Sequence, residues 1–433
     1  MSHLITQAQL SADQADWSTV VLTLQRLCLT DSTIPLDSTQ LAQVLPLAIN
    51  VLAVGDFQEQ WEVAKVFATL GQAAIAPLTE LLQDDTAELE ARWFAARILG
   101  DLNDPTAMRA LVEQLQNSED EDLSQVVAEA LAHLGPAAIA ALTELLASAT
   151  TRLFAAQALA QIRHSDCVIP LLSIAGDPDP TIRAIALEAL SSFPDDRIPP
   201  VLMAATQDPA VGVRKVAIAG LSGRTALLNP DNLMAALTRC LWDLNLGVCQ
   251  QAALALGKLQ RDEAVPLLQR ALLAPNTPLP LQLDLVRALS WIGTEQALIS
   301  LAASLPPQTS GLPLAVCQEI LTLLGRWEAP DLKAIAAQTL ITVLPQIEAS
   351  TLRRAIALAL GELKQPIGLE PLIHLLADHD AGVRLHAISA LKQLDSAAAY
   401  TRLTELQTDP ALSENFQVGV RVALQEWETE LPL

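Results

Sequence analysis

A repeated pattern of apolar and polar positions runs through most of the chain. In each copy a polar residue marks the start of a helix, and small or apolar residues follow three and six positions later, usually with a leucine at the seventh. Arg183, for example, is followed by Ala186, Ala189 and Leu190. This spacing places the apolar residues on one face of a helix. The pattern therefore predicts an amphipathic helix in every copy.

The marker positions recur every 28 to 37 residues. They are Gln60, Arg92, Ser124, Arg152, Arg183, Arg214, Cys249, Gln282, Cys317, Arg353, Arg384 and, in a truncated copy, Arg421. A second apolar helix follows in each copy, as in residues 73–82 and 137–146. One helix pair of this size cannot bury its apolar side, whereas stacked pairs bury a continuous core. We predict an all-α fold, a right-handed α-solenoid of about eleven helix pairs that forms an armadillo-like superhelix.

The regularity of the pattern predicts the organisation of the chain. We expect an N-terminal helical cap at 1–59, a regular arm at 60–248, irregular central repeats at 249–317 and a C-terminal arm and cap at 318–433. The central repeats lack arginine at the marker position, and two Pro-rich turns, 274–282 and 305–313, lie in or beside them. We predict a hinge there, because repeats without a polar contact at the turn are held by apolar packing alone.

Several glycines stand close to the predicted ends of the first helices. Glycine adopts the left-handed conformation that commonly ends a helix. We therefore predict that these glycines are left-handed C-caps: Gly71, Gly100, Gly135, Gly257 and Gly361.

Composition and charge exclude several classes of function. The chain has 49 acidic residues, 26 Lys and Arg, and a net charge of −23, which argues against nucleic acid and against anionic membrane surfaces. No apolar run reaches the roughly 20 residues of a transmembrane helix, and the N-terminus does not resemble a secretory signal. The five cysteines contain no CxxC pair, which is typical of a reducing cytoplasm and gives no zinc-ligand spacing. We expect a cytoplasmic protein with a protein partner.

Residues 92–115, RWFAARILGDLNDPTAMRALVEQL, resemble a HEAT repeat of the phycobilin-lyase-like family of cyanobacteria (the PBS lyase HEAT-like repeat). The matching positions are Arg92, Ala95, Ala96, Leu99, Gly100, Leu102, Asp104, Pro105, Ala107 and Leu111. The resemblance spans roughly 60–421 and implies one of two functions. The first is a non-enzymatic scaffold, an assembly factor for cofactor-bearing photosynthetic or iron–sulfur proteins. The second is a lyase or chaperone that attaches or removes phycocyanobilin on a phycobiliprotein.

Neither function comes with catalytic residues that can be identified in this chain. The repeat motif is structural, and the sequence contains no GxSxG or HExxH motif. We expect no resident cofactor and no metal; a transiently bound phycocyanobilin is the alternative that the resemblance implies.

The resemblance also implies a ladder of ion pairs between neighbouring repeats, made by an aspartate in a turn and an arginine six positions later. Three pairs keep this spacing: Asp177/Arg183, Asp208/Arg214 and Asp378/Arg384. In a further repeat Asp243 retains the turn aspartate, but Cys249 replaces the arginine six positions later. Cys317 replaces the arginine of another repeat. We interpret both cysteines as structural. A helix N-terminus can lower the pKa of a thiol, which leaves a redox role as the alternative.

One position of each second helix lies opposite the apolar face, and in a HEAT solenoid it lines the concave surface. These positions are Glu80, Glu113, Glu144, Ser173, Met203, Arg239, Gln269, Ser300, Ala337, His374 and Glu405. Three successive carboxylates begin the series. They predict a groove for a basic segment of a protein partner; the alternative is the solvated face of an acidic protein.

Trp61 and Trp93 occupy the same position of two consecutive first helices, away from the apolar face. Because tryptophan is enriched at interfaces, they predict a contact platform; Trp327 and Trp427 are predicted core residues. His374, His379 and His386 lie close in sequence. Their positions on the predicted helices point in different directions, so we expect no metal site there.

Overall fold

The computed structural model describes residues 2–30, 36–224, 228–305, 311–409 and 412–428. Every regular element in these ranges is helical. The protein is an all-α solenoid, as the repeat pattern predicts. It divides into two compact units, Met1–Val201 and Leu202–Leu433. Each unit buries its own row of Leu, Ile, Val and Ala side chains between its helices.

The first unit begins with three helices that precede the repeats: α1 Ser2–Asp13, α2 Trp17–Gln25, which a π-helical turn extends over Arg26–Thr30, and α3 Ser38–Val54. The repeats then follow as α4 Phe57–Ala64 continued by α5 Phe67–Leu70, α6 Ile75–Gln83, α7 Leu89–Asp101, α8 Pro105–Asn117, α9 Glu121–His133, α10 Ile139–Leu145, α11 Arg152–Gln161, α12 Val168–Ile174 and α13 Pro180–Leu190. Short 3-10 turns lead into several of the second helices.

The boundary between the units lies within α14 Ile198–Ala205. The second unit continues as α15 Val211–Ser222, α16 Pro230–Cys240, α17 Leu246–Lys258, α18 Val265–Leu272, α19 Leu279–Ile292, α20 Glu295–Ala303, α21 Leu314–Gly325, α22 Pro330–Val343, α23 Ser350–Leu363, α24 Leu369–His374, α25 Ala381–Gln407 and α26 Glu414–Glu428. The extended backbone of Asp395 divides α25 into two helices. Over the described ranges this order gives eleven helix pairs from α4 to α25, the predicted number.

Turn residues begin these helices in a way that the sequence specifies locally. The Asp104 carboxylate accepts a hydrogen bond from the Thr106 amide, and Pro105 occupies the first position of α8, where no amide hydrogen is needed. The buried face of the same helix follows with Ala107 and Leu111, both fully buried. An N-terminal cap of this kind stabilises a helix by about 1 kcal/mol.

Two of the five glycines predicted as left-handed C-caps have a positive φ, although the ψ of Gly71, −138°, lies outside the left-handed helical region and Gly135 begins a 3-10 turn. Gly71 and Gly135 have φ values of +56° and +62°. The prediction is wrong for Gly100, Gly257 and Gly361, which lie inside α7, α17 and α23. In those helices the left-handed residue comes three positions later, at Asn103, Gln260 and Lys364.

The three helical glycines allow neighbouring first helices to approach closely. A Cβ atom on Gly100 would lie 2.8 Å from the carbonyl oxygen of Ala130, and one on Gly257 would lie 2.6 Å from that of Ala288. On Gly361 it would lie 2.9 Å from the Cα atom of Ala390. These glycines therefore set the spacing between repeats and do not end helices.

Polar contacts join the first helices of the region for which we predict a hinge. Gln250 Nε2 on α17 donates to Asp284 Oδ2 on α19 at 2.6 Å. Arg287 on α19 binds Glu319 on α21, with 3.0 Å between Nε and Oε1. The expectation that apolar packing alone holds these repeats is therefore wrong. Residues 306–310 of the second Pro-rich turn lie outside the described residues.

The hinge remains a prediction, and hydrogen exchange tests it. Half-exposed ion pairs such as Arg287–Glu319 contribute only about 0–1 kcal/mol. We expect amides of α19 and α20 to exchange faster than those of α7 or α23, because the flanking repeats have buried arginine contacts. Equal protection across these helices would show that no hinge lies between 249 and 317.

Candidate functional site

Arginine side chains connect successive turns within the first unit. Arg152 Nη1 lies 3.1 Å from Asp177 Oδ2, and its Nε donates to the carbonyl of Leu146 at 2.7 Å. Arg183 Nη1 donates to the backbone carbonyl of Asp177 at 2.7 Å. Arg152 thus holds its own turn and also reaches forward to the aspartate of the next turn, whereas Arg183 holds the backbone of its own turn. The Asp177 carboxylate therefore pairs with the arginine of the preceding repeat, and the arginine six positions after it binds the Asp177 backbone carbonyl.

The second unit has the same arrangement. Arg214 Nη1 donates to the carbonyl of Asp208 at 2.8 Å, and its Nη2 donates to Asp243 Oδ1 at 2.8 Å. The Asp243 hydrogen bond raises the pKa of Arg214. Further along, Arg353 binds Asp378, and Arg384 Nη1 donates to the carbonyl of Asp378 at 2.7 Å.

Cys249 takes the place of an arginine in this ladder, as predicted. Its thiol donates to the backbone carbonyl of Asp243 at 3.1 Å. This carbonyl has the same position in its turn as the Asp208 carbonyl to which Arg214 donates in the preceding repeat. Cys249 is 6% exposed and Cys317 is 2% exposed. Burial raises the pKa of both thiols, and the Asp243 charge raises that of Cys249 further. Both shifts oppose the thiolate that a redox role requires.

We expect the cysteines to be chemically quiet in the folded protein. All five are buried and free, so they should react with a disulfide reagent at least about tenfold more slowly than in denaturant. The double variant Cys249→Ser/Cys317→Ser should keep its folding and partner binding. A rapidly labelled thiol, or lost binding in the double variant, would contradict the structural interpretation.

Glu80, Glu113 and Glu144 are all exposed on second helices of the first unit, α6, α8 and α10. Glu80 and Glu113 line one groove of about 610 Å³ between α6 and α8. Asp104 and Arg109 also line it. Glu144 lies outside this lining, on the next second helix. We call the lined surface together with Glu144 the acidic groove.

Two side chains of the groove were not predicted from the sequence. Arg109 lies four residues before Glu113 on α8, so helical spacing alone places it on the same side. Asp104 accepts a hydrogen bond from Gln72 Nε2 at 3.0 Å. Its pKa is lowered, chiefly by the hydrogen bond from the Thr106 amide. The groove thus presents three carboxylates and one guanidinium between α6 and α8.

The acidity of the chain is concentrated in this unit. Residues 1–201 contain 27 acidic and 9 basic residues, whereas residues 202–433 contain 22 and 17. The formal charge of the first unit is therefore −18 and that of the second is −5. A surface with this excess of one sign attracts a partner of the opposite sign over a distance of about a Debye length, about 8 Å at physiological ionic strength.

The remaining charged positions of the predicted series are exposed in the second unit. Arg239 lies on α16, His374 on α24 with its ring 5.8 Å from Phe416, and Glu405 on the second half of α25. Arg402 Nη1 lies 2.9 Å from Glu405 Oε2. These side chains do not form a run of one charge like that of the first unit.

Two positions of the series are buried, so their predicted exposure is wrong. Ser300 is 6% exposed and Ala337 is fully buried. On α20 the neighbouring Ile299 faces outward, and the Ser300 carbonyl accepts a hydrogen bond from Gln269 Nε2 on α18. Ile299, and not Ser300, therefore takes the outward position on α20, which the spacing along the sequence does not reveal.

Trp61 is partly exposed, but its ring neighbours differ from those predicted. It stacks on Phe57 with 6.5 Å between ring centroids, and the Arg97 guanidinium lies 4.5 Å from its ring. With Phe94 and Arg97 it lines a cavity of about 180 Å³. Trp93 is half-buried, its indole nitrogen is buried, and it lies outside that lining. Trp61 and Trp93 therefore do not share this cavity as one platform.

Trp327 and Trp427 are buried core residues, as predicted. His379 lies in a turn, and His386 Nδ1 lies 2.6 Å from the Gly382 carbonyl oxygen of its own helix. Within the described ranges, no three His, Cys, Asp or Glu side chains form a group able to hold a metal ion. The helices described here include none that is both long and apolar enough to cross a membrane.

The family of HEAT repeats matches residues 45–132, 75–152, 139–222 and 337–414, which together exceed half of the chain. The PBS lyase HEAT-like repeat matches residues 248–274. A comparison with curated proteins finds no match.

Several solved structures are similar to the chain. Kap95p, solved with RanGDP, is 14% identical and aligns over 97% of this chain and 63% of its own length, with a TM-score of 0.51. Kap121p, solved with the extreme C-terminus of Cdc14p, is 15% identical and aligns over 95% of this chain and 61% of its own length, with a TM-score of 0.46. An engineered protein is 20% identical and aligns over 82% of this chain and 98% of its own length, with a TM-score of 0.34. At these identities the likeness to Kap95p concerns the fold alone.

Proposed function

Because the chain belongs to the HEAT-repeat family, we propose that it is a non-enzymatic scaffold whose acidic groove binds a basic segment of a protein partner. The observation that carries the proposal is the placement of Glu80 and Glu113 in one groove of about 610 Å³. Glu144 extends the same chemistry to the next second helix.

Three physical features support this function. The second helices present carboxylates on rigid elements, so a bound segment meets a preorganised surface. The excess of acidic over basic residues in the first unit steers a basic partner towards it. The structurally similar Kap95p is described with another protein, RanGDP, as its bound partner.

For the class of partner, we propose a cofactor-bearing protein, photosynthetic or iron–sulfur, whose assembly the scaffold assists in the cytoplasm. The match of a PBS lyase HEAT-like repeat to residues 248–274 supports this class. No resident cofactor is required, because the partner carries the cofactor.

The same match supports a second candidate, a lyase or chaperone that handles phycocyanobilin on a phycobiliprotein. Adding phycocyanobilin to the purified protein separates the two. A shifted and intensified visible band supports the bilin function. An unchanged spectrum contradicts it and leaves the scaffold.

Co-purification with quantitative mass spectrometry tests the scaffold directly. The bait variants are wild type, Glu80→Lys/Glu113→Lys/Glu144→Lys and a control of equal charge change, Glu90→Lys/Glu129→Lys/Glu188→Lys. The control residues are exposed on first helices of the same unit. We expect a partner with a basic segment to be recovered with wild type and control and depleted with the groove variant. Equal recovery with all three baits contradicts the proposal.

A further inference from the structure

A second, chemically different surface lies at the turns of the second unit. The turn after α16 and the turn after α18 enclose a cavity of about 370 Å³. Its walls are mainly apolar. We call it the turn pocket, after its principal lining residues Trp242, Leu244, Leu246, Cys249, Pro275 and Leu281.

The pocket exists because a ladder contact is missing. In the preceding repeat Arg214 donates to the carbonyls of Asp208 and Pro209 and also reaches Asp243 in the next turn. The thiol of Cys249 donates to the carbonyl of its own turn and is too short to reach the following one. Asn276 stands six residues before Gln282, where the ladder has an aspartate. The volume that an arginine at position 249 and an aspartate at position 276 would fill is therefore open.

The rim of the pocket exposes large apolar side chains. Leu244 is fully exposed and Trp242 is half exposed, and Leu246 and Leu279 beside them are about 40% exposed. Clustered exposed apolar side chains of this kind mark interaction surfaces, whereas single ones are ordinary. The volume is within the roughly 300–1,000 Å³ of known binding pockets.

The charges around the pocket favour an acidic ligand. The Arg270 guanidinium lies 5.6 Å from the Trp242 ring centroid. Arg239 lies in the last turn of α16, three residues before Trp242. Across the described part of the chain, neither arginine forms an ion pair. The one acidic residue of the lining, Asp243, is already bound by Arg214.

We propose that the turn pocket binds a partner segment that inserts one large apolar side chain, such as Leu or Phe, next to an Asp or Glu carboxylate. The apolar side chain fills the space of the missing ladder contact and packs on Trp242 and Leu281. The carboxylate pairs with Arg270, whose guanidinium already lies over the aromatic ring. This ligand is opposite in charge to that of the acidic groove, so the two sites take different segments.

Selection from a displayed library of random peptides, each about twelve residues long, tests the chemistry without a known partner. Wild type is the target, and Cys249→Arg, which refills the pocket with the ladder side chain, is the counter-target. We expect enriched sequences to combine a large apolar residue with Asp or Glu. Basic sequences, or equal enrichment on both targets, would overturn the proposal.

Fluorescence anisotropy with one selected peptide then locates the site. Leu244→Glu changes a fully exposed side chain, so it leaves folding intact even where Cys249→Arg does not. We expect it to weaken binding at least tenfold and Arg270→Glu to do the same. Leu385→Glu, at an exposed leucine on α25, should have no effect. Equal weakening by Leu385→Glu contradicts the site, and self-association lost in Leu244→Glu assigns the pocket to a second copy instead.

Discussion

Replacing Arg353 with alanine is expected to lower the free energy of unfolding by about 3–5 kcal/mol, the usual cost of removing one member of a buried ion pair. Arg353 Nε lies 2.7 Å from Asp378 Oδ2, and the two side chains are only 10% and 8% exposed. Arg353 Nη1 also donates to the carbonyl of Ile347. Without the guanidinium, the Asp378 carboxylate remains in a site from which water is largely excluded.

The neighbouring residue provides the control. Arg354 binds Asp380 at 2.8 Å, but its side chain is 36% exposed. Water screens that pair, so Arg354→Ala should cost much less. Denaturant unfolding compares the total loss of unfolding free energy in the two variants. Hydrogen exchange of α23 and α25 shows whether the destabilisation is local, as expected for stacked repeats. Equal losses for the two variants would show that the ladder contact contributes nothing beyond a surface ion pair.

Replacing Gly257 with alanine is expected to destabilise the protein by about 1–3 kcal/mol through overpacking. In an unconstrained helix the same change stabilises by about 0.5–1 kcal/mol. Here the new Cβ would lie 2.6 Å from the carbonyl oxygen and 2.7 Å from the Cα atom of Ala288. These are backbone atoms, so α17 and α19 must move apart to accept it.

Gly212 is the matched control for this substitution. It lies in the first turn of α15, and nothing lies within 4 Å of the position its Cβ would take. Gly212→Ala should therefore raise the melting temperature, whereas Gly257→Ala lowers it. If both substitutions raise it, the glycine is not needed for the close approach of the two first helices.

The helices and their number follow from the sequence because each is encoded locally. The apolar spacing after Arg183 and the capping of α8 by Asp104 depend on residues within about two turns of helix. The role of Gly257 does not, because it depends on how closely Ala288 of the next repeat approaches. Sequence spacing therefore predicts that α17 ends near this glycine but not why the glycine is there.

The same distinction applies to the candidate site. Helical spacing places Glu80 and Glu113 on exposed faces, and it would also have found Arg109. It fails at Ser300, because that residue is buried and its carbonyl accepts a hydrogen bond from Gln269 on the neighbouring second helix, a contact with the preceding repeat that local spacing does not specify. The stacking of Arg97 on Trp61 joins residues of two repeats and has no local signal. The turn pocket likewise requires two turns to be seen together.

The rate at which the co-purified partner associates with the protein, measured by stopped flow over a range of salt concentrations, tests the acidic groove most directly. At low salt the groove variant Glu80→Lys/Glu113→Lys/Glu144→Lys should associate about tenfold or more slowly than wild type, and the difference should shrink as salt screens the charges. The first-helix control variant Glu90→Lys/Glu129→Lys/Glu188→Lys has the same net charge as the groove variant. Its association rate should fall much less. If the association rate falls by the same factor in both variants at every salt concentration, only net charge matters and the groove is not the binding site.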